Sequence, residues 1–501
     1  MDILGRFKRA FSGPRRPPSR ARRSYNAAMV DRLTADWTTI NKTAKAELRY
    51  ALKSLRARSR ELARNNDYAR KFLKMVGSNV VGPQGIKLQV RARDDNGKLD
   101  GFANDLIEKH FMRWGRPGSC TVDGKLGWMD AQRLFIESVA RDGEVLVRKV
   151  RGRAARNDYG FALQFIEADH LDEGLNDTLR NGNRIEMGIE FNAWKRPVAF
   201  HILDKHPGSD TYSVGGRTYS RVPAADIYHP FIMERAGQPR GVPWMASAML
   251  HLQMIGGYEE AELVAARIGA SKMGFFTSPD ADGYAGDEDD DGNLTMEAEP
   301  GLFEQLPSGL SVETFDPNHP NSQYSAFIKA ALRGVASGIG VSYNALASDL
   351  EGVNYSSIRQ GALDERDLWR VLQWWDINHF CAPVFEDWLL AFLTTRLSSL
   401  PPRKFDKFNA PVWSPRGWQW IDPLKEVKAN IEAVNAGFKS RTDVLAEQGR
   451  DFEETLEQLA AEQELSDEHG LQLSEGSSNE NENENENEND QDAEADKNGD
   501  D

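Results

Sequence analysis

Residues 343 to 375 read YNALASDLEGVNYSSIRQGALDERDLWRVLQWW. A polar loop interrupted by glycine opens straight into a long aromatic helix. Gly352 and Asn354 permit unusual backbone angles, and Ser356 and Ser357 can cap the helix that follows. Ile358, Ala362, Leu368, Leu372 and Trp375 then give that helix an apolar stripe. A helix rich in small residues, 324 to 339, leads into the loop. A loop held between two long helices is a mechanical part rather than a catalytic pocket.

Working outward, residues 245 to 272 form a second helix of small residues, among them Ala261, Ala265, Ala266 and Gly269. Ala331, Gly334 and Gly338 play the same part in the helix at 324 to 339. Small side chains let helices approach closely. Their placement around most of the helix leaves two readings: packing by copies of itself, or burial inside one subunit.

The first half reads as α+β, with helices before sheet. Leu48, Leu52, Leu55, Leu62, Ala69, Leu73 and Val76 share one face of a helix over 43 to 76, which Gly77 ends. Helices follow at 102 to 114 and 128 to 141. Strands with period two are expected at 86 to 90, 144 to 150, 161 to 167, 184 to 191, 197 to 203 and 226 to 229. Asn181-Gly182 is a hairpin turn. Beyond the small-residue helix, 302 to 315 resembles a hairpin. Pro383 kinks the chain after the aromatic helix, and helices at 422 to 436 and 441 to 464 close the ordered part.

The ends differ sharply in charge. Residues 6 to 23 are basic and carry GPRRPP, which cannot hold a helix. They form either a solvated arm or a short amphipathic turn for docking on a partner or membrane surface. The C-terminal run NENENENENEND has nothing apolar to bury and reads as disordered. A net charge of −15 over 501 residues argues against a protein that coats nucleic acid. No apolar run approaches the roughly 20 residues of a membrane span, and no secretory segment opens the chain. Cys120 and Cys381 lack metal-type spacing, which fits a reducing compartment without disulfides.

Candidate chemistry fails on spacing. GSCTVDGKL at 118 to 126 misses a phosphate loop by one residue and by Leu126, where Ser or Thr would hold magnesium. Residues 287 to 298 match a calcium loop except at Ala298, where a bidentate glutamate belongs. His170 lies among Glu167, Asp169, Asp172 and Glu173 in what reads as an acidic turn. Asp364, Glu365 and Asp367 are expected to pair with Arg366 and Arg370 on their own helix. No catalytic residues, metal or cofactor are expected.

Five stretches resemble the lambda-type bacteriophage portal proteins: ARNNDYARKFLKMVGSNVVGPQGI (63 to 86), RDGEVLVR (141 to 148), LQFIEADHLD (163 to 172), HPFIMERAGQPRGVPW (229 to 244) and GVNYSSIRQGALDERD (352 to 367). The resemblance implies a portal-type fold and a virion protein. Twelve copies would form a ring at one capsid vertex, through which terminase drives double-stranded DNA. Further partners would be the major capsid and scaffold or protease proteins and the head-completion and tail connector proteins, with no membrane.

It divides the chain into a basic arm (1 to 28), an α+β wing (29 to 243), stem helices (244 to 273 and 321 to 340) flanking an acidic clip (274 to 320), and a tunnel loop (341 to 356). A loop helix and wing completion (357 to 420), a helical crown (421 to 470) and an acidic tail (471 to 501) follow. Ser342, Tyr343, Asn344, Asp349, Glu351, Asn354 and Tyr355 would face DNA, with Asp349 and Glu351 repelling phosphates and Lys329, Arg333 and Arg359 touching them weakly. Asp287, Asp289, Asp290 and Asp291 would dock the motor and connector. The rivals are a scaffold or adaptor without a channel, and a packaging nuclease or ATPase.

Overall fold

The computed structural model describes residues 32, 35 to 209, 217 to 270, 274 to 277, 287 to 288, 294 to 295, 311 to 314, 323 to 351, 355 to 418, 423 to 448, 450 and 452 to 470. Helix α1 (Ala44–Asn65) and α2 (Asp67–Val76) are two helices where the sequence suggests one. Asn66 makes the break: its backbone is extended and its side chain accepts from the Ala69 amide, so it caps α2. The helix does not stop at Gly77 but widens into a π-turn, Gly77–Val81. Then come β1 (Lys87–Val90), α3 (Gly101–Trp114) and α4 (Trp128–Asp142), the last two within a residue of expectation.

The sheets that follow are small and antiparallel. β2 (Leu146–Arg151) lies between β3 (Phe161–Ile166) and a short strand at residues 227 and 228. A meander follows: β4 (Asp177–Thr178), β5 (Arg184–Glu186), β6 (Ile189–Phe191), β7 (Pro197–Leu203) and β8 (Tyr219–Pro223). The Asn181-Gly182 turn joins β4 to β5 as read. The strand expected over 184 to 191 is instead a hairpin, because Met187 and Gly188 both take positive φ. The strand beside β2 is β9 (Ile227–Tyr228).

Helix α5 (Met249–Ala270) follows, and then β10 (Gly274–Thr277), β11 (Asp287–Glu288), β12 (Leu294–Thr295) and β13 (Ser311–Thr314). β13 pairs with β10; the rest of the hairpin expected at 302 to 315 lies outside the described residues. Helix α6 (Tyr324–Ile339) and a short α7 (Tyr343–Ala347) precede α8 (Tyr355–Asp376), which passes through a π-turn, Ile377–Cys381, into α9 (Ala382–Leu393). Pro383 occupies the first turn of α9, where its missing N–H is harmless. Next come α10 (Phe405–Phe408) and β14 (Pro411–Ser414), which pairs with β1 and so closes the wing across more than 300 residues of chain. Helices α11 (Pro423–Asn435), α12 (Arg441–Glu447) and α13 (Phe452–Glu468) end the description; the helix expected over 441 to 464 is thus two.

The core is aromatic and centres on α9. Trp388 lies 5.1 Å from Phe392 and 5.0 Å from Phe111, and Phe135 stacks on Phe380 at 4.1 Å. Trp114 is fully buried and donates its indole N–H to the Phe161 carbonyl. Both cysteines are buried and free.

A charged cluster is buried beside this core. Glu144 accepts from Arg56 (3.0 Å), from Arg240 (2.7 Å), from His229 (2.7 Å) and from the Gly241 amide (3.1 Å). Arg240 also donates to the carbonyls of Ala168, Leu171 and Met187. Burial alone would raise the Glu144 pKa; Arg240, His229 and Arg56 outweigh it and hold the carboxylate below its ordinary range. The backbones of Gly143 and Gly241 touch: a Cβ on Gly241 would stand 2.0 Å from the Gly143 carbonyl oxygen.

Glu144→Gln takes from the buried Arg240 guanidinium the carboxylate it pairs with, while Arg56 keeps Asp169 and Glu173, and is expected to destabilise by about 3–5 kcal/mol, read as a lower urea midpoint at unchanged slope. Because the folded pKa is depressed, the wild-type advantage holds above the ordinary carboxylate range and disappears as pH falls through the folded value. Asp376 is the opposite case. Its carboxyl is wholly buried at the mouth of the second π-turn with no hydrogen-bond partner, and burial pushes its pKa well up. Asp376→Leu is expected to stabilise at neutral pH by about 1–3 kcal/mol, with the gain shrinking in acid as the wild-type carboxyl protonates in both states.

Candidate channel surface

The two small-residue helices pack on one another. Tyr258 of α5 stacks on Tyr324 of α6 at 5.8 Å and meets Phe327 edge-on at 5.0 Å. Ser247 donates to the Gly338 carbonyl at 2.9 Å, and a Cβ on Gly338 would stand 3.3 Å from the Ser247 oxygen. Asn66 and Tyr68 tie the pair to the wing through Leu252 and Glu259.

That cover ends halfway. Leu252 and Ile255 are buried, but from Gly256 to Arg267 no residue of α5 is. Leu263 is 67% exposed, and Leu250, Met254, Val264 and Phe327 are also open. The reading of α5 as a helix buried inside its own subunit therefore fails for its second half. Ala261 and Ala266 are exposed and Ala265 and Ala331 half-covered; Gly334 has nothing within 4 Å of where a Cβ would be. Gly338 serves the intrachain contact instead. For Gly269 only the helical backbone is described.

The segment after α6 is more structured than a loop. Gly340 ends α6 in the left-handed conformation. Ser342 caps α7 by accepting from the Ala345 amide, and its own amide donates to Glu365 at 3.1 Å. Glu365 also accepts from the Trp369 indole and so clamps α7 to α8. Asp364 accepts from Gln360; Asp367 pairs with Arg370 as expected. Ser348 takes φ 55°, an uncommon left-handed turn for a serine, and receives Lys71. Leu350 stands 67% exposed at the tip.

The charges on this segment are paired. Lys329 lies 3.3 Å from Asp349 and 2.8 Å from Glu351. The Tyr343 hydroxyl, the Glu351 amide and Lys329 hold the Asp349 carboxyl down to about 2. Arg333 lies over the Tyr343 ring at 5.3 Å. Sequence reading placed Lys329 and the two acids in opposed roles; the structure brings them together. Asn344 is half-covered. Tyr355 and Arg359 are described only as helical backbone, and Gly352 and Asn354 lie outside the described residues.

Asp287 begins β11, while Asp289, Asp290 and Asp291 lie outside the described residues, as do the basic arm and the acidic tail. Among the described residues, one group has metal-like spacing: Glu167, Asp169 and His206, within 4.8 Å of one another. Arg60 reaches both carboxylates and Arg56 reaches Asp169, so the positive charge a cation would bring is already supplied. His170 bonds the Leu203 carbonyl, and Asp172 and Glu173 pair with Arg217 and Arg56. No helix among the described residues is long and apolar enough to cross a membrane.

Residues 30 to 373 match the model of a family described as phage portal protein, lambda family. A probable portal protein of Halomonas phage phiHAP-1 is 35% identical, over 92% of each chain. The portal protein of Escherichia phage N15 and portal protein B of Escherichia phage lambda are each 21% identical, over 85% and 81% of this chain and 87% and 82% of theirs. A chain from the neck of an empty GTA particle covers 80% of this chain and 94% of its own at 15% identity, with a TM-score of 0.43. A chain from the virion of a native gene transfer agent covers 80% and 93% at 14% identity and 0.42. The matched span runs from the first wing helix through the clamped segment into α8, and the chain belongs to the lambda family of phage portal proteins.

Proposed function

We propose that copies of this chain close into a ring, of twelve subunits by family resemblance, at one vertex of a capsid. Terminase drives double-stranded DNA inward through the ring, and the DNA later leaves by the same route. Residues 29 to 243 form the wing, α5 and α6 the stem, the acidic stretch between them a clip that docks terminase and the head-completion and tail proteins, and α11 to α13 the crown. The major capsid and scaffold or protease proteins surround the wing. The ring assembles in the host cytoplasm and ends in the virion. Portal proteins are a structural class, and in this reading the chain performs no chemistry of its own.

The observation that carries the reading is the uncovered half of α5. A contiguous apolar surface on a monomer marks a contact yet to be made. Heterologous contacts that repeat around an axis close into rings. Ala261, Ala266 and Gly334 face outward where a neighbour's helix can approach, and among the described residues nothing lies within 4 Å of where a Cβ on Gly334 would be.

Ala266→Trp and Gly334→Leu are expected to leave the subunit folded, since both positions are open, yet to abolish closed rings. Circular dichroism checks the first and native mass spectrometry the second; intact rings from both variants would remove the stem from assembly. The paired charges at 342 to 351 refine the role of the loop. With Lys329 and Arg333 set against Asp349 and Glu351, the segment presents little net charge to a passing phosphate, so DNA is neither gripped nor strongly repelled. Asp349→Lys with Glu351→Lys gathers three ammonium groups at one spot. Rings are expected to form while packaged DNA per particle falls at least about tenfold, because each new phosphate contact must be broken during sliding. Normal packaging by that variant would exclude the segment from transport.

A further inference from the structure

A cavity of about 710 Å³ lies between α8, the turn after β14 and helix α12. Four cations line it (Arg370, Arg416, Lys439 and Arg450) with Trp374 and Trp418 among them. The guanidinium groups of Arg366, Arg370 and Arg416 lie 6.0, 5.9 and 5.8 Å from the Trp418 ring. Two carboxylates also line the cavity, and both are engaged: Asp443 caps α12 through Ser440, and Glu447 pairs with Lys439 at 2.9 Å. Arg370 pairs with Asp367. Among the described residues Arg416 donates to the Ser78 carbonyl and the Asn79 side chain, and neither it nor Arg450 has a carboxylate partner.

Such a concentration of cation is out of place in a chain of net charge −15. It is also costly where it stands, since desolvation lowers the Arg416 pKa without any acid to offset it. Trp374, 58% exposed, adds an apolar wall. Guanidinium forks match phosphate oxygens in geometry, and indole faces suit the sugar and base edges beside them.

We infer that this cavity at the base of the crown is a second, sequence-independent contact for the DNA backbone, with Arg416 and Arg450 each taking a phosphate. The inference rests on the portal reading and adds to it a holding point away from the stem. Where the segment at 342 to 351 is charge-compensated and slippery, this site has cations in excess and retains DNA.

The test uses the full chain and a fluorescein-labelled 30-base-pair duplex, with affinity read by anisotropy across a salt series. Arg416→Gln with Arg450→Gln is expected to flatten the dependence of log affinity on log salt by about 0.9 for each phosphate contact removed. Arg416→Lys with Arg450→Lys is expected to keep the slope, which separates charge from folding. An unchanged slope in the Gln variant overturns the inference. If that unchanged slope comes with faster proteolysis of residues 471 to 501, the cavity instead receives the chain's own acidic segment. Electron microscopy of the same samples separates the two readings: rings with an unchanged slope defeat only this inference, whereas a chain that never forms rings defeats the portal reading.

Discussion

A single buried carboxylate sets the geometry of the α+β half of the chain. Glu144 begins the run into β2 and is fully enclosed, and an ion removed from water survives only if its partners are in place. Those partners come from α1 (Arg56), from the turn after β9 (His229) and from the segment before α5 (Arg240 and Gly241). Arg240 in turn takes three carbonyls from the strand connections on the other side. No one of these segments can shift without stranding a charge in a dry interior. The Gly143–Gly241 crossing makes this possible, because any side chain at 241 would hold the two backbones apart. Two of the stretches that resemble portal proteins, 141 to 148 and 229 to 244, are thus the two sides of one contact.

A second set of contacts holds the segment at 342 to 351 to the aromatic core. α8, the π-turn and α9 form a nearly continuous helix whose far end is sunk among Trp388, Phe392 and Phe111. Its near end carries Glu365, which holds both Trp369 and the amide that starts α7. Gln373, one turn further on, bonds the carbonyls of Asn79 and Arg416 and so links this helix to the first π-turn and to the base of the crown. A load on the segment at 342 to 351 is therefore borne by the aromatic core rather than by a flexible hinge.

Periodicity was enough for elements whose neighbours are close in sequence. α3, α4 and β7 fall within a residue of the expected bounds, and Asn181-Gly182 turns as such a pair should. What stayed hidden depends on distant partners or on rare backbone states. Arg56 lies on the polar side of a leucine-striped helix and reads as solvated; its burial is explained by carboxylates distant in sequence, Glu144, Asp169 and Glu173, the first 88 residues away. Glu365 looks like one member of an ion-paired row until Ser342 is seen beneath it. The break at Asn66 was legible, since Asn-Asn-Asp is a capping signal, but the continuous leucine stripe outweighed it. Met187 at φ 51° left no trace, because nothing in a methionine announces a left-handed turn. The uncovered half of α5 was foreshadowed by alanines on most of its faces, and its exposure counts against burial inside one subunit.

Charge placement separates the two surfaces a polyanion would meet. At the segment after α6, Lys329 lies within ion-pair distance of both acids, and the exposed Arg333 lies over the Tyr343 ring. At the base of the crown the acids are spent on a cap and on Lys439, which leaves guanidinium groups without counter-charge. Phosphate affinity scales with the number of cations free to release counterions, so in the proposed ring the first surface would let DNA move and the second would slow it. A passage that held its cargo nowhere would lose it to the pressure of packing, and one that held it everywhere could never be filled. Placing the uncompensated cations off the stem meets both demands within one subunit.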